Sequence, residues 1–484
     1  MNFEIPNFAL ALPEIFVLTM ACAILLIDLF IPKHAKTLTY LLAQITLLGA
    51  AILTFQQYGH PGSVTTFNGM FVLNNLAIVL KLFIYLSAFA SFLYARSYLP
   101  KTKIPYGEYF VLGLFSVLGM MVIVSAHNFI VLFLGLELFS LPIYAMVALR
   151  RDEGICVEAA IKYFVTGAIA TGTLLYGLSM LYGATGSMDI TRVSEVIMQS
   201  SLSDELILVF GLVFAVVGMV FKLGAVPFHM WVPDVYEGAP TPVVLFLGTT
   251  AKIAALGLLF RLLVDGLQPL SVQWQDLLII VAVLSMALGN LAAIVQSNIK
   301  RMLAYSSIAH MGYMALGLVT ATPQGYGAAL FYMITYAIMT LGAFGVVAIM
   351  NNAGCEASKV SDLRGLNSRN PWLALMMLLV MFSMAGIPPI VGFMAKLSIL
   401  EALIGVHLVW LAAIALFFAV IGAYYYIRVV KVMYFEEPED ATPIKYPVDM
   451  QIAISLSGVG LLVLGIVPGA LFTLCQAVFG ATPY

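Results

Sequence analysis

The apolar residues of this chain fall into long blocks that are separated by short polar segments. A helix needs roughly 20 apolar residues to cross the hydrocarbon core of a bilayer. Fourteen blocks approach or exceed that length, and we number them as spans one to fourteen: residues 9–31, 38–55, 76–93, 110–124, 129–148, 159–182, 206–231, 242–263, 277–295, 302–320, 328–350, 372–402, 408–432 and 452–479. The pattern predicts an all-α polytopic membrane protein with about 14 transmembrane helices. Residues 1–8 hold no lysine or arginine, so we expect span one to be a retained helix and not a cleaved signal peptide.

Prolines interrupt the seventh and twelfth spans. Pro227 lies in the sequence GAVPFH, and Pro388 lies in AGIPPI. A proline inside a membrane helix frees backbone carbonyls, which is tolerated only where a cavity or neighbouring helices satisfy them. We therefore expect both helices to be broken at mid-membrane, around residues 225–228 and 386–390.

Spans four to eight resemble spans nine to thirteen. In spans six and eleven, five residues recur 169 positions later, with Tyr163, Thr166, Ala168, Ile169 and Thr171 corresponding to Tyr332, Thr335, Ala337, Ile338 and Thr340. Gly119 and Asn128 recur 170 positions later as Gly289 and Asn298, and Val226-Pro227 corresponds to Ile387-Pro388, 161 positions later. Chance similarity between apolar sequences can explain any single match, but three matches in the same order argue against it.

The repeat predicts the organisation of the chain. Because five helices form each copy, the second copy must enter the membrane from the opposite side, which makes an inverted-topology repeat. Paired proline-interrupted spans in such a repeat are a sequence pointer to a transport site. We expect an N-terminal three-helix segment at residues 1–105, five-helix repeats at 106–268 and 269–433, and a loop with the last helix at 434–484.

Composition agrees with a membrane protein and excludes several classes of site. The chain is 62% hydrophobic and 10% charged, whereas soluble domains have about 25% charged residues. A net charge of −2 with no basic stripe gives no sign of nucleic-acid binding. The four cysteines, Cys22, Cys156, Cys355 and Cys475, are single, and no GxGxxG unit is present, so we expect no redox cofactor in this chain. The histidines lack the paired spacing of metal ligands.

The basic residues predict the orientation. Fifteen of the 22 lysines and arginines lie in one set of alternate loops, and only Arg192 and Arg261 lie in the opposite set. Positively charged loops stay in the cytoplasm. The asymmetry therefore predicts that both termini lie on the non-cytoplasmic side.

Ionisable residues inside the spans are the candidates for function, because such residues are costly in hydrocarbon and indicate an ion or proton path by default. The candidates for proton transfer are Glu137, Lys222, Lys252 and Lys396, and those for a secondary path are His310, Tyr305, His229, Glu158 and Lys162. Lys252 lies roughly ten residues from each end of span eight, about 15 Å from either surface at 1.5 Å per residue, which is too deep for easy snorkelling. Lys81 has no evident partner, and we interpret it as structural.

These residue types suit proton transfer. Burial favours the neutral form of a lysine, whereas a nearby carboxylate favours the charged form. A small movement of Glu137 would therefore switch Lys222 between holding and releasing a proton. Structural alternatives stay open: Lys222 as a snorkelling residue at a helix end, Glu158 and Lys162 as an i, i+4 salt bridge, and His310 as a packed polar residue.

Three motifs carry a resemblance to a known family. FKLGAVPFHMWVPDVYEGAPTPV, NIKRMLAYSSIAHMGY and MAGIPPIVGFMAKL together resemble the antiporter-like membrane subunits of respiratory complex I, the bacterial NADH–quinone oxidoreductase. The resemblance covers essentially the whole chain and is closest to the N-type subunits. The VYEGAP sequence and Lys396 distinguish it from the M-type, which has a glutamate in span twelve. We expect no long lateral C-terminal helix of the L-type.

The resemblance implies proton translocation, coupled to electron transfer from NADH to quinone in other subunits. Glu137 and Lys222 would form the coupling pair, Lys252 the central connecting lysine and Lys396 the terminal exit lysine. His310 would lie along the hydrated axis. One departure is Pro388-Pro389, where a single proline is expected, and we expect the pair to stiffen the break without changing its chemistry.

The resemblance also implies partners and a location. FMN, iron–sulfur clusters and quinone are expected in partner subunits, with no cofactor or metal in this chain. The expected partners are M-, K- and J-type membrane subunits, the peripheral NADH-oxidising arm and the lipids of the bacterial inner membrane. Two alternatives are a subunit of a multisubunit cation/proton antiporter, without a redox partner, and an inert scaffold. The buried series of Glu137 and three lysines argues against a scaffold, and co-purification with iron–sulfur subunits would separate the other two.

Overall fold

The computed structural model describes residues 6–32, 35–59, 62–102, 104–199, 206–352, 358–438 and 442–480. The α-helices in chain order are α1 (Leu12–Phe30), α2 (Thr37–Gln56), α3 (Asn75–Tyr98), α4 (Tyr106–Val124), α5 (Phe129–Val147), α6 (Gly154–Thr185), α7 (Ile190–Gln199), α8 (Leu206–Leu223), α9 (Trp231–Gly238), α10 (Thr241–Gly248), α11 (Thr250–Leu259), α12 (Ser271–Ile294), α13 (Ile299–Val319), α14 (Pro323–Asn352), α15 (Leu366–Arg369), α16 (Pro371–Ala385), α17 (Val391–Gly405), α18 (Val409–Phe435), α19 (Val448–Ile466) and α20 (Gly469–Ala477). Strands β1 (Val64–Thr66) and β2 (Phe71–Leu73) form an antiparallel hairpin between α2 and α3. A π-helix, Phe260–Gly266, continues α11.

The predicted spans are confirmed. Within the described residues, 13 helical segments are long and apolar enough to cross a membrane. They match thirteen of the predicted spans, and the remaining one, span twelve, is divided between α16 and α17, each of 15 residues. The chain is therefore an all-α, multi-pass membrane protein. Lys33 and Lys103 of the predicted basic loops, and Cys355, lie outside the described residues.

Some elements were not predicted. Span eight is divided between α10 and α11 at Thr249, whose hydroxyl donates to the Leu245 carbonyl at 2.7 Å. Side-chain bonds of this kind compete with the helical ladder and can bend a helix. Span fourteen is divided into α19 and α20. Pro468 lies immediately before α20, and a proline cannot donate to the hydrogen-bond ladder of a helix. Helix α7 and the β-hairpin lie between spans, where no membrane thickness constrains the sequence pattern.

Matching backbone contacts support the internal repeat. In the first copy, Asn128 forms an antiparallel bridge with Asp189, and in the second copy Asn298 forms one with Lys359. Each pair is separated from its counterpart by 170 positions. Each asparagine side chain also accepts a backbone N–H at the start of the following helix, α5 or α13. The two copies therefore fix their second helix in the same way.

The matching glycines have the same packing role in both copies. A Cβ at Gly119 would lie 2.2 Å from the backbone nitrogen of Phe139, and a Cβ at Gly289 would lie 2.6 Å from that of Ala309. Both distances are too short for any side chain. Glycine therefore allows α4 to contact the backbone of α5, and α12 to contact that of α13.

Two arginines complete the correspondence, and sequence analysis missed them. Arg261 donates from Nε and Nη2 to the Val124 carbonyl, at 2.9 and 2.7 Å. Arg428 donates from Nη1 to the Ile294 carbonyl at 2.7 Å. Both carbonyls belong to the last residue of a helix, α4 or α12, where backbone acceptors lack intrahelical partners. Each arginine thus caps the C-terminus of the first helix of its copy.

The chain packs as two compact units. The first comprises Met1–Phe92, Lys103–Lys222 and Thr250–Leu277, and in it α4 packs against α1, α2, α5 and α11. The second comprises Leu93–Thr102, Leu223–Thr249 and Leu278–Tyr484. In the second unit α14 is central and packs against α10, α13, α16, α17, α19 and α20.

Candidate functional site

The first helix break separates α8 from α9. Gly224, immediately after α8, has a φ of 67°, a conformation that glycine adopts without strain. Inside the break, the Val226 N–H donates to Ser285 Oγ at 2.9 Å, which satisfies one of the freed backbone groups. The interruption predicted at residues 225–228 is confirmed, and it extends over residues 224–230.

The second break separates α16 from α17 and covers residues 386–390, as predicted. It begins in the same way, with Gly386 at a φ of 84°. A Cβ at Gly465 of α19 would lie 2.2 Å from the Pro389 carbonyl oxygen, so only a glycine allows α19 to approach the break this closely. Both breaks thus start at a left-handed glycine and contain a predicted proline.

Lys222 lies on the last turn of α8, and its amine is bound by two hydroxyl groups of α5. The Nζ donates to Ser140 Oγ at 2.9 Å and to the Tyr144 hydroxyl at 3.0 Å. It also lies 5.7 Å from the centre of the Phe139 ring, within reach of a cation–π interaction. The side chain is buried. A lysine buried in this way has neutral partners in place of water.

Glu137 lies on α5, one turn before Ser140. Its carboxylate interacts electrostatically with Lys222 and with Tyr144, but among the described residues the two charged groups form no direct ion pair. Glu137 is only partly buried, and it lies within a membrane-spanning helix. Sequence analysis predicted the pair but missed the two hydroxyls between them, although Ser140 and Tyr144 follow Glu137 at i+3 and i+7 on one helical face.

Lys396 lies on the first turns of α17, after the second break. Its Nζ donates to the carbonyls of Met384 and Ala385, at 3.0 and 2.8 Å. These are the last two carbonyls of α16, and a cation is favourable at the negative end of a helix dipole. The same amine lies 5.2 Å from the centre of the Tyr313 ring. The broken helix therefore supplies backbone acceptors for the lysine that follows it.

His310 on α13 is enclosed by tyrosines. Its Nδ1 lies 2.7 Å from the Tyr332 hydroxyl, and its Nε2 lies 3.0 Å from the Tyr426 hydroxyl. Tyr426 is in turn hydrogen-bonded to Ser306. Because a neutral imidazole donates from one nitrogen and accepts at the other, both tautomers can be satisfied by rotation of the hydroxyls. Tyr332 is the repeat counterpart of Tyr163, but neither tyrosine partner was predicted.

Two small cavities adjoin Lys396. One, of about 10 Å³, is lined by both Lys396 and His310 together with Asn290 and three tyrosine side chains. The other, of about 20 Å³, is lined by Lys396, Tyr313 and apolar residues of α17 and α18. Each has room for about one water molecule, and the first is surrounded by groups that can bond it. His310 and Lys396 thus share a polar, water-sized cavity.

Lys252 lies near the start of α11, in the first unit. It is 1% exposed, and every residue of α11 is buried. The helix begins directly after the interruption at Thr249 and packs against α4. Lys252 is therefore enclosed by protein on all sides, and its distance from the membrane surfaces stays a prediction.

Apart from His310, the secondary candidates are less enclosed. Glu158 and Lys162 form an ion pair of 2.7 Å, but their side chains are 64% and 46% exposed on α6. His229 lies in the first break and is half-buried. Tyr305 is also half-buried, and it is not among the described hydrogen-bond partners of His310.

Lys81 has a partner that sequence analysis did not find. It forms a buried ion pair with Glu14 of α1, with side chains that are 0% and 8% exposed. The two residues are 67 positions apart, and Glu14 lies in the first turn of its helix, so no local spacing links them. The ion pair with Glu14 supports the interpretation of Lys81 as a structural residue.

Ion pairs and a hydrogen bond join α9 to α13. Arg301 Nη1 lies 2.9 Å from Asp234 and 2.9 Å from Glu237, and Asn298 donates to Glu237 at 3.0 Å. Asp234 and Glu237, which follow Pro227 in the sequence, therefore fix the helix after the break to the helix that bears His310. No group of three or more His, Cys, Asp and Glu residues in the described ranges is arranged to hold a metal ion.

Comparison with known proteins gives consistent matches. Residues 126–422 match the protein family described as NADH:quinone oxidoreductase/Mrp antiporter, transmembrane. The NADH-quinone oxidoreductase subunit N of Coxiella burnetii is 57% identical over 99% of this chain and 100% of its own length. A chain of the respiratory complex I structure from Thermus thermophilus is 30% identical, with a TM-score of 0.82 over 96% of this chain and 99% of its own. A chain of the Mrp complex from Dietzia is 19% identical with a TM-score of 0.85, covering 97% of both chains, which shows a shared fold.

Proposed function

This chain belongs to the family of NADH:quinone oxidoreductase and Mrp antiporter membrane subunits, and we propose that it is a proton-translocating, antiporter-like subunit of NADH–quinone oxidoreductase. It carries no electron-transfer chemistry of its own in this proposal. Electrons pass from NADH to quinone in other subunits, where FMN and iron–sulfur clusters are expected. This chain moves protons across the membrane in response.

One observation carries the proposal: a lysine lies at each of two broken membrane helices, buried at the first break and partly buried at the second. Neutral hydroxyls bind the lysine at the first break, and backbone carbonyls bind the lysine at the second. Lys222 donates to Ser140 and Tyr144, and Lys396 donates to the last carbonyls of α16. Such acceptors can hold an ammonium without a permanent counter-charge. A scaffold would gain nothing from these costly groups, whereas a proton carrier needs them.

The residues have distinct roles in the proposed path. Glu137 sets the charge of Lys222 from a short distance, since a carboxylate stabilises the ammonium form and its withdrawal favours release. Lys252 is the connecting lysine of the first unit. In the second unit, His310 passes protons along its tyrosine contacts, and Lys396 is the exit group.

Exposed polar groups on α5 and α6 favour the proposal that other membrane subunits pack against this chain. Glu137, Glu158 and Lys162 are all partly or largely exposed within segments that cross the membrane. Charged groups facing hydrocarbon are costly, so a covering subunit is favourable. We propose M-, K- and J-type subunits as the membrane neighbours, the bacterial inner membrane as the location, and both termini on the non-cytoplasmic side.

The test is a Glu137→Gln substitution in the complete complex, purified and reconstituted in vesicles. The amide keeps the shape and hydrogen bonding of the side chain but removes its charge, so the complex should assemble while losing most of its coupled proton uptake. Proton uptake, NADH-driven quinone reduction and assembly on a native gel are measured together.

Glu195→Gln is the matched control. Glu195 lies on α7, outside the spans, in an exposed ion pair of 3.1 Å with Arg192. The complex with Glu195→Gln should therefore take up protons at the parent rate. Parent-level pumping by an intact Glu137→Gln complex would remove Glu137 from the mechanism.

The cation/proton antiporter alternative is less favoured. The subunit N relative is 57% identical over nearly the whole chain, whereas the Mrp chain is 19% identical and shares the fold alone. Purification of the native protein separates the two, because only the proposed function predicts co-purification with iron–sulfur subunits.

A further inference from the structure

A basic cleft lies in the second unit, away from the proton-transfer residues. It has a volume of about 600 Å³ and is formed by the segment after α12, the segment around the 3-10 helix Val360–Leu363, and the end of α18. This volume lies in the range of ligand-binding pockets, about 300–1,000 Å³. None of the residues already assigned to the proton path lines it.

The lining carries an excess of positive charge. Lys359, Arg364, Arg428 and Lys431 all line the cleft, against one acid, Glu436. Arg364 neutralises Glu436 through a contact of 2.9 Å. Among the described residues, neither Lys359 nor Lys431 takes part in an ion pair, and the buried Nε of Arg428 has no acceptor. Within the described part of the chain, the cleft therefore offers three cations that form no ion pair with an acid.

The positive charge of the cleft is found in the second copy of the repeat, and the corresponding positions of the first copy do not share it. The backbone bridges align Lys359 with Asp189 of the first copy. Arg261, the counterpart of Arg428, is neutralised by Asp265 at 2.7 Å. The first copy thus has an acid at the position of Lys359 and an acid beside its arginine, whereas Arg428 is bonded, among the described residues, only to neutral acceptors. The repeat alone therefore does not explain the basic cleft.

An apolar stripe runs from the cleft along α18. Its members recur at helical spacing and are exposed: Leu416, Phe417, Val420, Tyr424 and Ile427. Tyr424 and Ile427 also line the cleft. From residue 416 to residue 427 the stripe is about 16 Å long at 1.5 Å per residue. That length is about half of a hydrocarbon core of about 30 Å, which is the depth of one leaflet.

We propose that this cleft binds the headgroup of an anionic phospholipid, whose acyl chain lies along the exposed stripe of α18. Four basic side chains line one cleft, and basic pockets between membrane helices on the cytoplasmic side suit anionic headgroups. All four basic residues belong to the loops that the charge asymmetry assigns to the cytoplasm. The inference rests on the membrane location of the chain and not on its role in proton transfer.

The test uses the complete purified complex, delipidated in detergent and then incubated with a photoreactive phosphatidylglycerol or with phosphatidylcholine of the same acyl chains. After illumination, labelled peptides are mapped by mass spectrometry. In the parent complex, phosphatidylglycerol should label α18 near Tyr424 and Ile427, and phosphatidylcholine should label it much less. The double substitution Lys359→Gln with Lys431→Gln should lower the phosphatidylglycerol labelling roughly thirtyfold, on the scale expected for removing two lysines at a membrane surface.

The double substitution Lys101→Gln with Lys445→Gln is the matched control. It removes the same charge from the predicted cytoplasmic side but leaves the cleft intact, so labelling of α18 should stay at the parent level. Proton uptake should be normal in both double variants, which keeps this result separate from the test of the proposed function.

Several outcomes would overturn the proposal. Equal labelling by the two lipids, or equal labelling of parent and cleft variant, would show that no headgroup is selected. Full displacement by millimolar inorganic phosphate would assign the cleft to a free anion. Cross-links from the cleft to a neighbouring subunit, with no lipid label, would assign it to a protein interface.

Discussion

Lys222 is held by neutral hydroxyl groups and not by a carboxylate. Ser140 Oγ and the Tyr144 hydroxyl can each donate or accept a hydrogen bond, so they can stabilise either an ammonium or a neutral amine. A direct ion pair with Glu137 would hold the charged form more strongly. The observed separation therefore suits a lysine that must take up and release a proton.

At the residue scale, sequence analysis locates the charges of the site but not their polar partners. A lysine such as Lys222 stands out in an apolar span because it is costly there. Ser140 and Tyr144 are common in membrane helices and give no such signal. Their role appears only when α5 meets α8, across 82 positions of sequence between Ser140 and Lys222.

The Glu14–Lys81 ion pair permits a residue-scale prediction. Lys81→Met should lower the amount of assembled complex on a native gel, because it leaves Glu14 buried without its partner, which typically costs about 3–5 kcal/mol. Adding Glu14→Leu should restore most of the assembly, since replacing both members of a buried pair by hydrophobic residues of similar volume is often nearly neutral.

The double variant separates structure from transport. If the pair is structural, the restored complex should also pump protons at the parent rate in vesicles. A double variant that assembles fully but does not pump would contradict the structural interpretation and add the pair to the proton path.

At the element scale, the helix breaks were predictable and the helix caps were not. Pro227 and Pro388 mark their breaks in the sequence because proline cannot donate to the helical ladder. The capping arginines act on carbonyls far away in the chain, with 137 positions between Arg261 and Val124. Nothing local to Arg261 indicates which helix end it stabilises.

The cap of α4 should be essential for stability. Arg261→Lys keeps the charge but loses the several donors that bind the Val124 carbonyl and the Asn74 side chain. Because these acceptors are then left incompletely bonded, we expect a loss of about 1–3 kcal/mol in stability. The measurement is the temperature at which the purified complex loses this subunit from the assembly.

Arg192→Lys is the control for this prediction. Arg192 lies in an exposed ion pair on α7, so Arg192→Lys should hardly change the temperature at which the complex loses this subunit. Equal thermal profiles for the Arg261 and Arg192 variants would mean that the cap contributes nothing measurable.

At the scale of the whole molecule, the bilayer explains why so much of the fold could be predicted. A fixed hydrocarbon thickness sets the length of every span, and all fourteen predicted spans correspond to helices or to a broken pair of helices. The β-hairpin and α7 lie outside that constraint, and neither was predicted. The interruption at Thr249 was also missed, because no proline marks it.

Lys252 provides the molecular-scale test, because the proposed proton path depends on it as a carrier in addition to Lys222 and Lys396. Lys252 is fully buried on a helix with no exposed residue, directly after the interruption at Thr249. A methionine of similar length would fill the same space without the cost of a buried amine. We therefore expect Lys252→Met to assemble normally on a native gel yet lose most of its NADH-driven proton uptake in vesicles.

Two further substitutions at this position distinguish a proton carrier from a fixed charge. Lys252→His can release a proton near neutral pH, whereas Lys252→Arg in effect cannot, so the histidine variant should retain more proton uptake than the arginine variant. Lys445→Met, at an exposed position outside the spans, should pump like the parent and controls for the loss of one lysine. If the Met, His and Arg variants of Lys252 all pump like the parent, the lysine serves only as a spacer, and protons must cross this part of the chain by another route.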